Sequence, residues 1–153
     1  MDAEQIKTRY GDRLYRLCFI MLQNESDAED AVQETLIQYF RKAPAFTKPE
    51  HEKAWLLKVA ANKCRDMLRF RKRHSHMDIS EIEAAAPEAP DHAILDALMQ
   101  LPEPFRLMMV LYYVEEYPVT EIAKIIGKTP SAVKMRLQKG RKLLEEHYRK
   151  EYL

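Results

Sequence analysis

Three carboxylates in the first half of the chain have the spacing of a chemical site. Asp27, Asp30 and Glu34 lie three and four residues apart, which places them on one face of a predicted helix. Such carboxylates can act as general acid and base or bind a metal ion, but no histidine or glycine-rich loop stands near them in sequence. His74 and His76 lack a third ligand nearby, and no P-loop, G-x-S-x-G or H-E-x-x-H motif occurs in the chain. We therefore expect no enzyme, no metal site and no cofactor, and we interpret the acidic face as a surface that docks a basic partner.

A basic set of residues lies near the end of the chain, in a pattern typical of a helix-turn-helix. Residues 121–126 predict a short helix that ends at Gly127. Thr129 is expected to cap the next helix, with Pro130 at its first position, where the missing N–H costs nothing. A basic second helix is suited to the major groove of DNA, although short helix pairs with a glycine turn also occur in ordinary bundles. That helix should bury Val133, Leu137, Gly140 and Leu144 and leave Lys134, Met135, Arg136, Gln138, Lys139, Arg141 and Lys142 on its other faces.

A further polar face is predicted on a helix in the middle of the chain. Nearly all of its members are basic, which exceeds what solubility requires and favours a polyanionic partner. Asn62 within it offers an amide that can pair with a base edge, or it is an ordinary solvated residue. Trp55 at its margin is either a wedge between core and surface or a platform on which a base stacks. The polar arc comprises Lys58, Asn62, Arg65, Arg69 and Lys72, and the apolar arc comprises Leu57, Ala60, Ala61, Cys64, Met67 and Leu68.

The elements that must position these faces are expected to be helices. Nearly half of the 153 residues are hydrophobic, only three are glycine, and helix-forming stretches are long. The segment from His74 to Pro90 is acidic, rich in alanine and proline, and has no sustained apolar period. We therefore predict an all-α protein of two small helical domains, residues 1–73 and 91–153, joined by a flexible linker over residues 74–90.

Three helices are predicted in the first domain. The first covers about residues 4–22. The second opens with a capping box, in which Ser26 is the N-cap and Glu29 follows three residues later, and it ends before Pro44. A loop over Phe46–His51 leads into the third. The apolar stripe of the first helix is Leu14, Leu17, Cys18 and Met21, and the second helix should bury Ala28, Val32, Leu36 and either Tyr39 or Phe40.

Four helices are predicted in the second domain. Asp91 should cap the first of them, and Leu101–Pro104 should turn the chain. Phe105–Tyr113 should then form a buried helix that leads into the helix-turn-helix.

The cysteines and the start of the chain indicate a compartment. Cys18 and Cys64 are far apart in apolar helical patterns, so we expect two buried free thiols and no disulfide. The first residues lack the basic and apolar segments of a secretory signal, and no run approaches the roughly 20 apolar residues that span a bilayer. We expect a soluble cytoplasmic protein.

Five segments of the chain together resemble one protein family. They are Asp27–Thr35, Ala54–Asn62, Leu101–Arg106, Glu121–Ala123 and Val133–Leu137. Their order and spacing resemble the extracytoplasmic-function (ECF) sigma factors, the small two-domain specificity subunits of bacterial RNA polymerase. The resemblance implies that the chain directs core polymerase to specific promoters, initiates transcription and catalyses nothing itself. It also implies that the first domain binds polymerase and opens the −10 promoter element, and that the second recognises the −35 element.

The resemblance also assigns site residues. Asp30, Gln33 and Glu34 match positions that contact the clamp helices of the polymerase β′ subunit. Asn62 matches an asparagine near the flipped −10 base, and Phe46–His51 matches the loop that shapes its pocket. Further implied partners are the β flap, promoter DNA and, as in many members, an anti-sigma protein. The residues assigned to −10 DNA are Phe46, Thr47, Lys48, His51, Lys58, Asn62, Arg65, Arg69 and Lys72, and those assigned to −35 DNA are Ser131, Lys134, Met135, Arg136, Gln138, Lys139 and Arg141.

Three residues depart from the family pattern. Met135 stands where serine is frequent, which removes one possible hydrogen bond to DNA. Pro118 replaces a serine or threonine and changes the cap of the first motif helix. Gly140 stands where alanine is common, at a cost of about 1 kcal/mol of helix stability. These departures bear on which −35 sequence is recognised.

Two other interpretations of the chain remain open from the residues alone. One is a stand-alone helix-turn-helix regulator that binds duplex DNA without polymerase, and the more distant one is a helical hydrolase with a carboxylate site. The first domain discriminates between them and a sigma factor. A repressor does not need the acidic face of Asp30, Gln33 and Glu34 or the basic helix beside it.

Overall fold

Every segment of secondary structure that the computed structural model describes, within residues 2–74 and 93–152, is helical. The chain divides into two compact units, an N-terminal unit within residues 1–83 and a C-terminal unit within residues 84–153. The predicted all-α class with two helical domains is therefore confirmed. The predicted linker, apart from His74, and the predicted cap Asp91 lie outside the described residues.

The N-terminal unit contains three long helices, α1 (Ala3–Leu22), α2 (Glu25–Lys42) and α3 (Pro49–Arg73). The whole predicted stripe of α1 is buried, and Cys18 and Cys64 are buried free thiols, as expected. Where α2 and α3 face the core they contribute alanines, whose small side chains let helix backbones approach closely while the leucines of α1 and α3 fill the centre. The fully buried alanines are Ala28, Ala31, Ala60 and Ala61.

The start of α2 differs from the predicted capping box. Asn24, not Ser26, is the N-cap, and its side-chain oxygen accepts a hydrogen bond from the Asp27 N–H at 2.8 Å. Gln23 adopts a left-handed conformation (φ 56°) and donates its N–H to the carbonyl of Phe19 at 2.7 Å. The chain therefore reverses within two residues, and Ser26 lies inside the first turn of the helix.

The core face of α2 is partly as predicted. Its first half is buried at the predicted positions, whereas Leu36 and Tyr39 are only partly buried. Phe40 is 52% exposed, so Tyr39 is the aromatic residue that faces inward. Thr35 is fully buried. The apolar pattern did not predict its burial, because threonine is a polar residue. Its hydroxyl donates to the carbonyl four residues earlier at 2.7 Å, so that no hydrogen bond is lost by burial.

The C-terminal unit contains α4 (Ala93–Met99), α5 (Glu103–Met109), α6 (Val119–Ile126) and α7 (Pro130–Tyr152), with a π-helical turn over Val110–Val114 directly after α5. The predicted buried helix therefore changes its winding part-way along. The Glu115 N–H donates to a carbonyl five residues earlier at 3.0 Å.

The π turn corrects the predicted burial of this segment. Residues 106–111 are buried as expected, but Phe105 is only partly buried and Tyr113 is 51% exposed. A π turn holds more residues than an α turn and so rotates the side chains that follow it. Tyr113 consequently points outward, where it contacts α7.

The predicted helix-turn-helix is confirmed. Gly127 ends α6 in a left-handed conformation (φ 69°), which glycine adopts without strain. The Thr129 hydroxyl accepts a hydrogen bond from the Ala132 N–H at 3.1 Å and caps α7. Pro118 precedes α6 without a side-chain cap, as its residue type implied.

Gly140 has a packing environment that the helix-propensity argument did not show. The residue is buried, and a Cβ atom there would lie 3.3 Å from the Met109 sulfur and 3.5 Å from the Phe105 Cβ. Helices α5 and α7 therefore approach each other closely at this point. The lower helix propensity of glycine accompanies a close contact that alanine would crowd.

Candidate protein and nucleic-acid interfaces

The predicted acidic face of α2 is accessible to a partner. Asp30 and Gln33 are exposed, and Glu34 is partly buried and accepts a hydrogen bond from Gln38 Nε2 at 3.2 Å. Ile37, which is 43% exposed, extends the same face by one turn. The face thus presents two carboxylates, an amide and an aliphatic side chain.

Asp27, the third carboxylate in the sequence pattern, is engaged within the unit. It forms an ion pair with Arg71 near the end of α3, and the same guanidinium donates to the carbonyl of Leu22 at 2.8 Å. The two charged side chains are 35% and 28% exposed, so the pair is partly buried. It joins the end of α1, the start of α2 and the end of α3. In residues 2–74 and 93–152, no group of three or more histidine, cysteine or acidic residues could hold a metal ion.

The predicted basic face of α3 is present along the outer side of that helix. Asn62 is exposed within this face. Successive members of the face are four, three, four and three residues apart, so they follow one side of the helix from Lys58 to Lys72. Arg65 is partly buried, and Arg69 pairs with the exposed Asp66 one turn earlier. Exposed pairs of this kind are weak and are readily exchanged for another anion. The other exposed members are Lys58 and Lys72.

The loop before α3 is shorter than predicted. Helix α3 begins at Pro49, so His51 lies exposed in its first turn and only Phe46, Thr47 and Lys48 of the assigned residues remain in the loop. Lys48 is extended (φ −136°, ψ 142°), as the residue before a proline usually is. The signal for this boundary was a proline followed at once by acidic residues, the pattern of a first helical turn.

An aromatic cluster joins this loop to α2 and α3. Phe46 is stacked near Tyr39 with ring centroids 6.5 Å apart and planes at 12°. Trp55 meets both rings edge-on, with centroids 6.1 Å from each. Phe46 is the one partly buried residue among positions 44–48, so its ring anchors the loop. Trp55 is itself partly buried, as a wedge between core and surface would be.

A buried carboxylate that the sequence pattern did not single out is bonded to this cluster. Glu52 is 7% exposed, and its two oxygens accept hydrogen bonds from the hydroxyls of Tyr10, at 2.8 Å, and Tyr39, at 2.7 Å. Burial and the hydrogen bond to Glu52 raise the pKa of Tyr10, and they raise the pKa of Tyr39 to about 12. Both hydroxyls therefore remain protonated donors at neutral pH. The available signal was spacing, because Glu52 lies four residues before Leu56 on the buried side of α3.

The outer face of α7 carries most of the residues assigned to the second DNA site. Val133 and Leu137 are buried on the opposite face and hold the helix against its unit. Arg136 is partly buried at the flank, and Met135 is 69% exposed. The remaining exposed members are Ser131, Lys134, Gln138, Lys139 and Arg141.

Two basic residues of α7 also contact aromatic rings of their own unit. Lys139 Nζ lies 5.6 Å from the centre of the Phe105 ring. Arg141 donates through Nε to the hydroxyl of Tyr113 at 2.6 Å, and its guanidinium carbon is 5.8 Å from the rings of both Tyr112 and Tyr113. Arg141 is therefore already oriented in the unbound protein, and the outward turn of Tyr113 is what makes this contact.

Comparison with known proteins relates both units to one class of protein. The family model of Sigma-70 region 2 matches residues 6–74, and that of Sigma-70, region 4 matches residues 91–144. The chain is 31% identical over 150 residues to RNA polymerase sigma factor SigV of Bacillus subtilis (strain 168), covering 95% of this chain and 90% of that protein. It is 28% identical over 162 residues to ECF RNA polymerase sigma factor SigW of the same strain, covering 92% and 85%. The protein belongs to the ECF sigma factor family.

The fold of this sigma factor is also that of a solved relative. The sigma factor RpoE from Bartonella quintana, determined in complex with the anti-sigma factor NepR, superimposes with a TM-score of 0.76. The two proteins are 22% identical, and the match covers 97% of each chain. This likeness concerns the helical fold.

The two matched regions establish what the protein does. As a sigma factor, it directs RNA polymerase to promoters and initiates transcription, as the resemblance implied. A stand-alone helix-turn-helix regulator, the main alternative, does not account for region 2 in the N-terminal unit. No helix within residues 2–74 and 93–152 is long and apolar enough to cross a membrane.

Proposed function

We propose that the sigma factor divides promoter recognition among three exposed helix faces. The acidic face of α2 binds the clamp helices of the β′ subunit, α3 with its preceding loop holds the melted −10 element, and α7 recognises the −35 duplex. The observation that carries this proposal is the separation of charge within the N-terminal unit, where α2 exposes carboxylates and α3 exposes basic residues. If the unit bound only DNA, the exposed carboxylates of α2 would weaken binding by repelling the phosphates.

Asn62 is the central residue of the proposed −10 site. It is exposed in the middle of the basic face, where its amide can pair with the edge of an extruded base. Lys58 lies one turn before it and Arg65 one turn after it, in position to contact adjacent phosphates. Extruding a base costs about a few kcal/mol of unstacking, which a shaped pocket offsets. The loop residues Thr47 and Lys48, both exposed beside Phe46, form the other wall of that pocket.

In the proposed −35 site, Lys134 and Lys139 contact guanine edges and Arg141 contacts phosphate. The N-terminal part of a recognition helix enters the groove, which favours Lys134 for base contact. Arg141 binds a phosphate through its terminal nitrogens while Nε stays on the Tyr113 hydroxyl. Lys134→Ala should relax base preference, whereas Arg141→Ala should weaken all sequences alike and lower the salt dependence by about one unit. A panel of −35 duplex variants at several salt concentrations separates the two effects.

The proposed partners follow from this division of work. The C-terminal unit contacts the β flap of polymerase, and an anti-sigma protein binds the free sigma factor, as one binds the structurally similar RpoE. The protein contributes binding energy and no catalysis of its own, and it acts in the cytoplasm, where polymerase and chromosome are. We assign the polymerase and −10 functions to residues 1–73 and the −35 function to residues 91–153, with residues 74–90 between the two domains.

Core binding and transcription test the proposal together. Reversing Asp30 and Glu34 to Lys should abolish most of the affinity for core polymerase without unfolding the protein, because like charges then face the partner. A matched control reverses Glu25 and Glu50, which are exposed on the same unit and are not among the residues assigned to polymerase. Titration of labelled protein with core polymerase should separate the two double variants, and run-off transcription from a promoter pool should follow the same order. Equal affinity of both variants for core would remove the assignment of α2.

A further inference from the structure

Glu52 is an unusual residue for the start of a helix in this unit. Acidic residues in a first turn are normally solvated, where they interact with the helix dipole. Here the side chain is 7% exposed, and each carboxylate oxygen accepts one hydroxyl hydrogen bond, from α1 on one side and from α2 on the other. A buried carboxylate is costly unless it is hydrogen-bonded in this way. The group therefore imposes a specific orientation on the two tyrosines that satisfy it.

Of those two tyrosines, only Tyr39 belongs to the aromatic cluster. Its hydroxyl is held by Glu52, while its ring contacts Phe46 and Trp55. Tyr10 donates to the other oxygen of the same carboxylate, and among the described residues its ring takes no part in the cluster. The two hydrogen bonds are nearly equal in length, but the bond from Tyr10 is buried and the bond from Tyr39 is partly buried. They also differ in that only the Tyr39 ring contacts the aromatic cluster.

Phe46 transmits the position of Tyr39 to the loop between α2 and α3. It is the partly buried residue of that loop, and Thr47 and Lys48 beside it are exposed. The Phe46 ring is stacked near Tyr39 and is met edge-on by Trp55, which itself contacts Tyr39, so the three rings restrict one another. Phe46 thus connects the loop to the Tyr39 ring.

We propose that Glu52 is a positioning residue for −10 recognition, which acts through Tyr39 to hold Phe46 and its loop against Trp55. The inference rests on the proposed role of this loop and Asn62 in binding the extruded base. Glu52 itself is too buried to contact DNA. Its contribution is a pocket wall that is already in place before the base arrives, so that ordering the loop does not weaken binding.

Two variants that differ by one hydroxyl each form the matched test. Tyr39→Phe and Tyr10→Phe both leave Glu52 with one donor and preserve both rings. Trp55 is the single tryptophan of the chain, so intrinsic fluorescence reports directly on the aromatic cluster. Base preference is measured on holoenzyme assembled from each full-length variant and bacterial core polymerase. The probe is a pool of single-stranded oligonucleotides with a randomised hexamer, sequenced after binding.

We expect Tyr39→Phe to shift Trp55 emission to longer wavelength and to increase its quenching by acrylamide. We also expect it to reduce selectivity at the most selective base position by about fivefold, the size of one hydrogen bond. Tyr10→Phe should lower the free energy of unfolding measured with denaturant, because one hydrogen bond is lost. It should leave Trp55 emission and base preference unchanged. Selection from a duplex −35 pool should be unaltered in both. Glu52→Gln, which keeps the shape of the side chain, should produce the same changes as Tyr39→Phe in weaker form. If Tyr39→Phe does not fold, Glu52→Gln takes its place in the test.

Several outcomes would overturn the inference. If both tyrosine variants reduce base preference in proportion to their lost stability, Glu52 is only a structural residue. If Tyr39→Phe changes neither emission nor preference, the cluster does not depend on the hydrogen bond. A failure of the proposed function has a different signature. In that case wild-type holoenzyme selects no bases from the single-stranded pool, or Asn62→Ala leaves the selection unchanged. A shift of Trp55 emission in Tyr39→Phe would then not support a role for Glu52 in −10 recognition.

Discussion

The two units differ in the interactions that hold α3 and α7, the helices proposed to face DNA. In the N-terminal unit, α3 packs through buried leucines and alanines and is also tied to its neighbours by polar bridges near both ends, at Glu52 and at Arg71. In the C-terminal unit, α7 is held by apolar packing, with Val133 and Leu137 buried and Gly140 in close contact with α5, and its polar contact with Tyr113 is at the surface. Hydrogen bonds are directional and fix the rotation of a helix, whereas apolar contact is non-directional and scales with the area buried.

This difference predicts how each unit fails. Loss of a bridge should disturb the orientation of α3 at a moderate cost in stability. Loss of a core side chain should first reduce the stability of the C-terminal unit and only then its DNA binding. The following variants test that contrast, from the largest expected effect to the smallest.

Leu137→Ala should have the largest effect, because it leaves a cavity under α7. The side chain is 1% exposed, and such truncations cost about 2–5 kcal/mol of the free energy of unfolding. Native-state hydrogen exchange should place the loss within residues 93–152, with residues 2–74 unchanged. Leu144→Ala, at a partly buried position of the same helix, is the control and should cost less. Equal losses in both units would mean that the units do not unfold independently.

Arg71→Ala and Arg69→Ala compare a bridging ion pair with a surface one on the same helix. Arg71 joins three helices from a partly buried position, so its loss should cost about 1–3 kcal/mol of the free energy of unfolding. Arg69 pairs with an exposed Asp66 one turn away, and its loss should cost less than about 0.5 kcal/mol. Urea denaturation in low and high salt measures both. The bridging argument fails if the two variants are equally stable.

The glycines offer a smaller and oppositely signed pair. Gly127→Ala should lose about 1 kcal/mol of the free energy of unfolding, because alanine is strained at φ 69° even though nothing lies within 4 Å of its Cβ. Gly11→Ala in α1 should gain up to about 1 kcal/mol, because the only close atom is the flexible Lys7 Cγ at 3.4 Å. Thermal melts of the two variants should therefore move in opposite directions. A stabilising Gly127→Ala would show that the turn does not require the left-handed conformation.

Near neutral pH the titration of Tyr39 has the smallest effect, because its contribution to the N-terminal unit declines only in alkaline solution. The pKa of Tyr39 is raised from 10.0 to about 12, so its neutral form is favoured in the folded state. Its contribution to stability is therefore fully present below pH 10 and is lost as pH rises towards 12. Denaturation followed by Trp55 fluorescence should show this decline, and Tyr39→Phe should make it shallower. An identical pH dependence in the variant would place the titrating group elsewhere.

The sequence predicted well wherever the cause is local. The ends of the helix-turn-helix follow from Gly127, Thr129 and Pro130, whose backbone and hydrogen-bonding properties act within a few residues. It failed where a competing local signal prevailed. The Ser26 box yielded to Asn24, because the left-handed Gln23 places the cap two residues earlier.

The sequence by itself also determined the helical class, the division into two helical units and the charge of each exposed face. These follow from periodicity and composition, which need no knowledge of distant contacts. The resemblance to sigma factors likewise follows from the residues of five segments and their order in the chain. The assignment of individual residues to polymerase and DNA stays a prediction.

Only the tertiary structure decided which polar residues face inward. Asp27 and Glu52 are acidic residues like their exposed neighbours Asp30 and Glu50. In the folded unit, however, Asp27 pairs with Arg71, and Glu52 accepts hydrogen bonds from two tyrosines of other helices. Asp27 and Arg71 are 44 positions apart in the chain, and Tyr10 and Tyr39 are 42 and 13 positions from Glu52. The formation of these contacts depends on how the helices cross, and the balance between desolvation and hydrogen bonding at such sites exists only once the helices have packed.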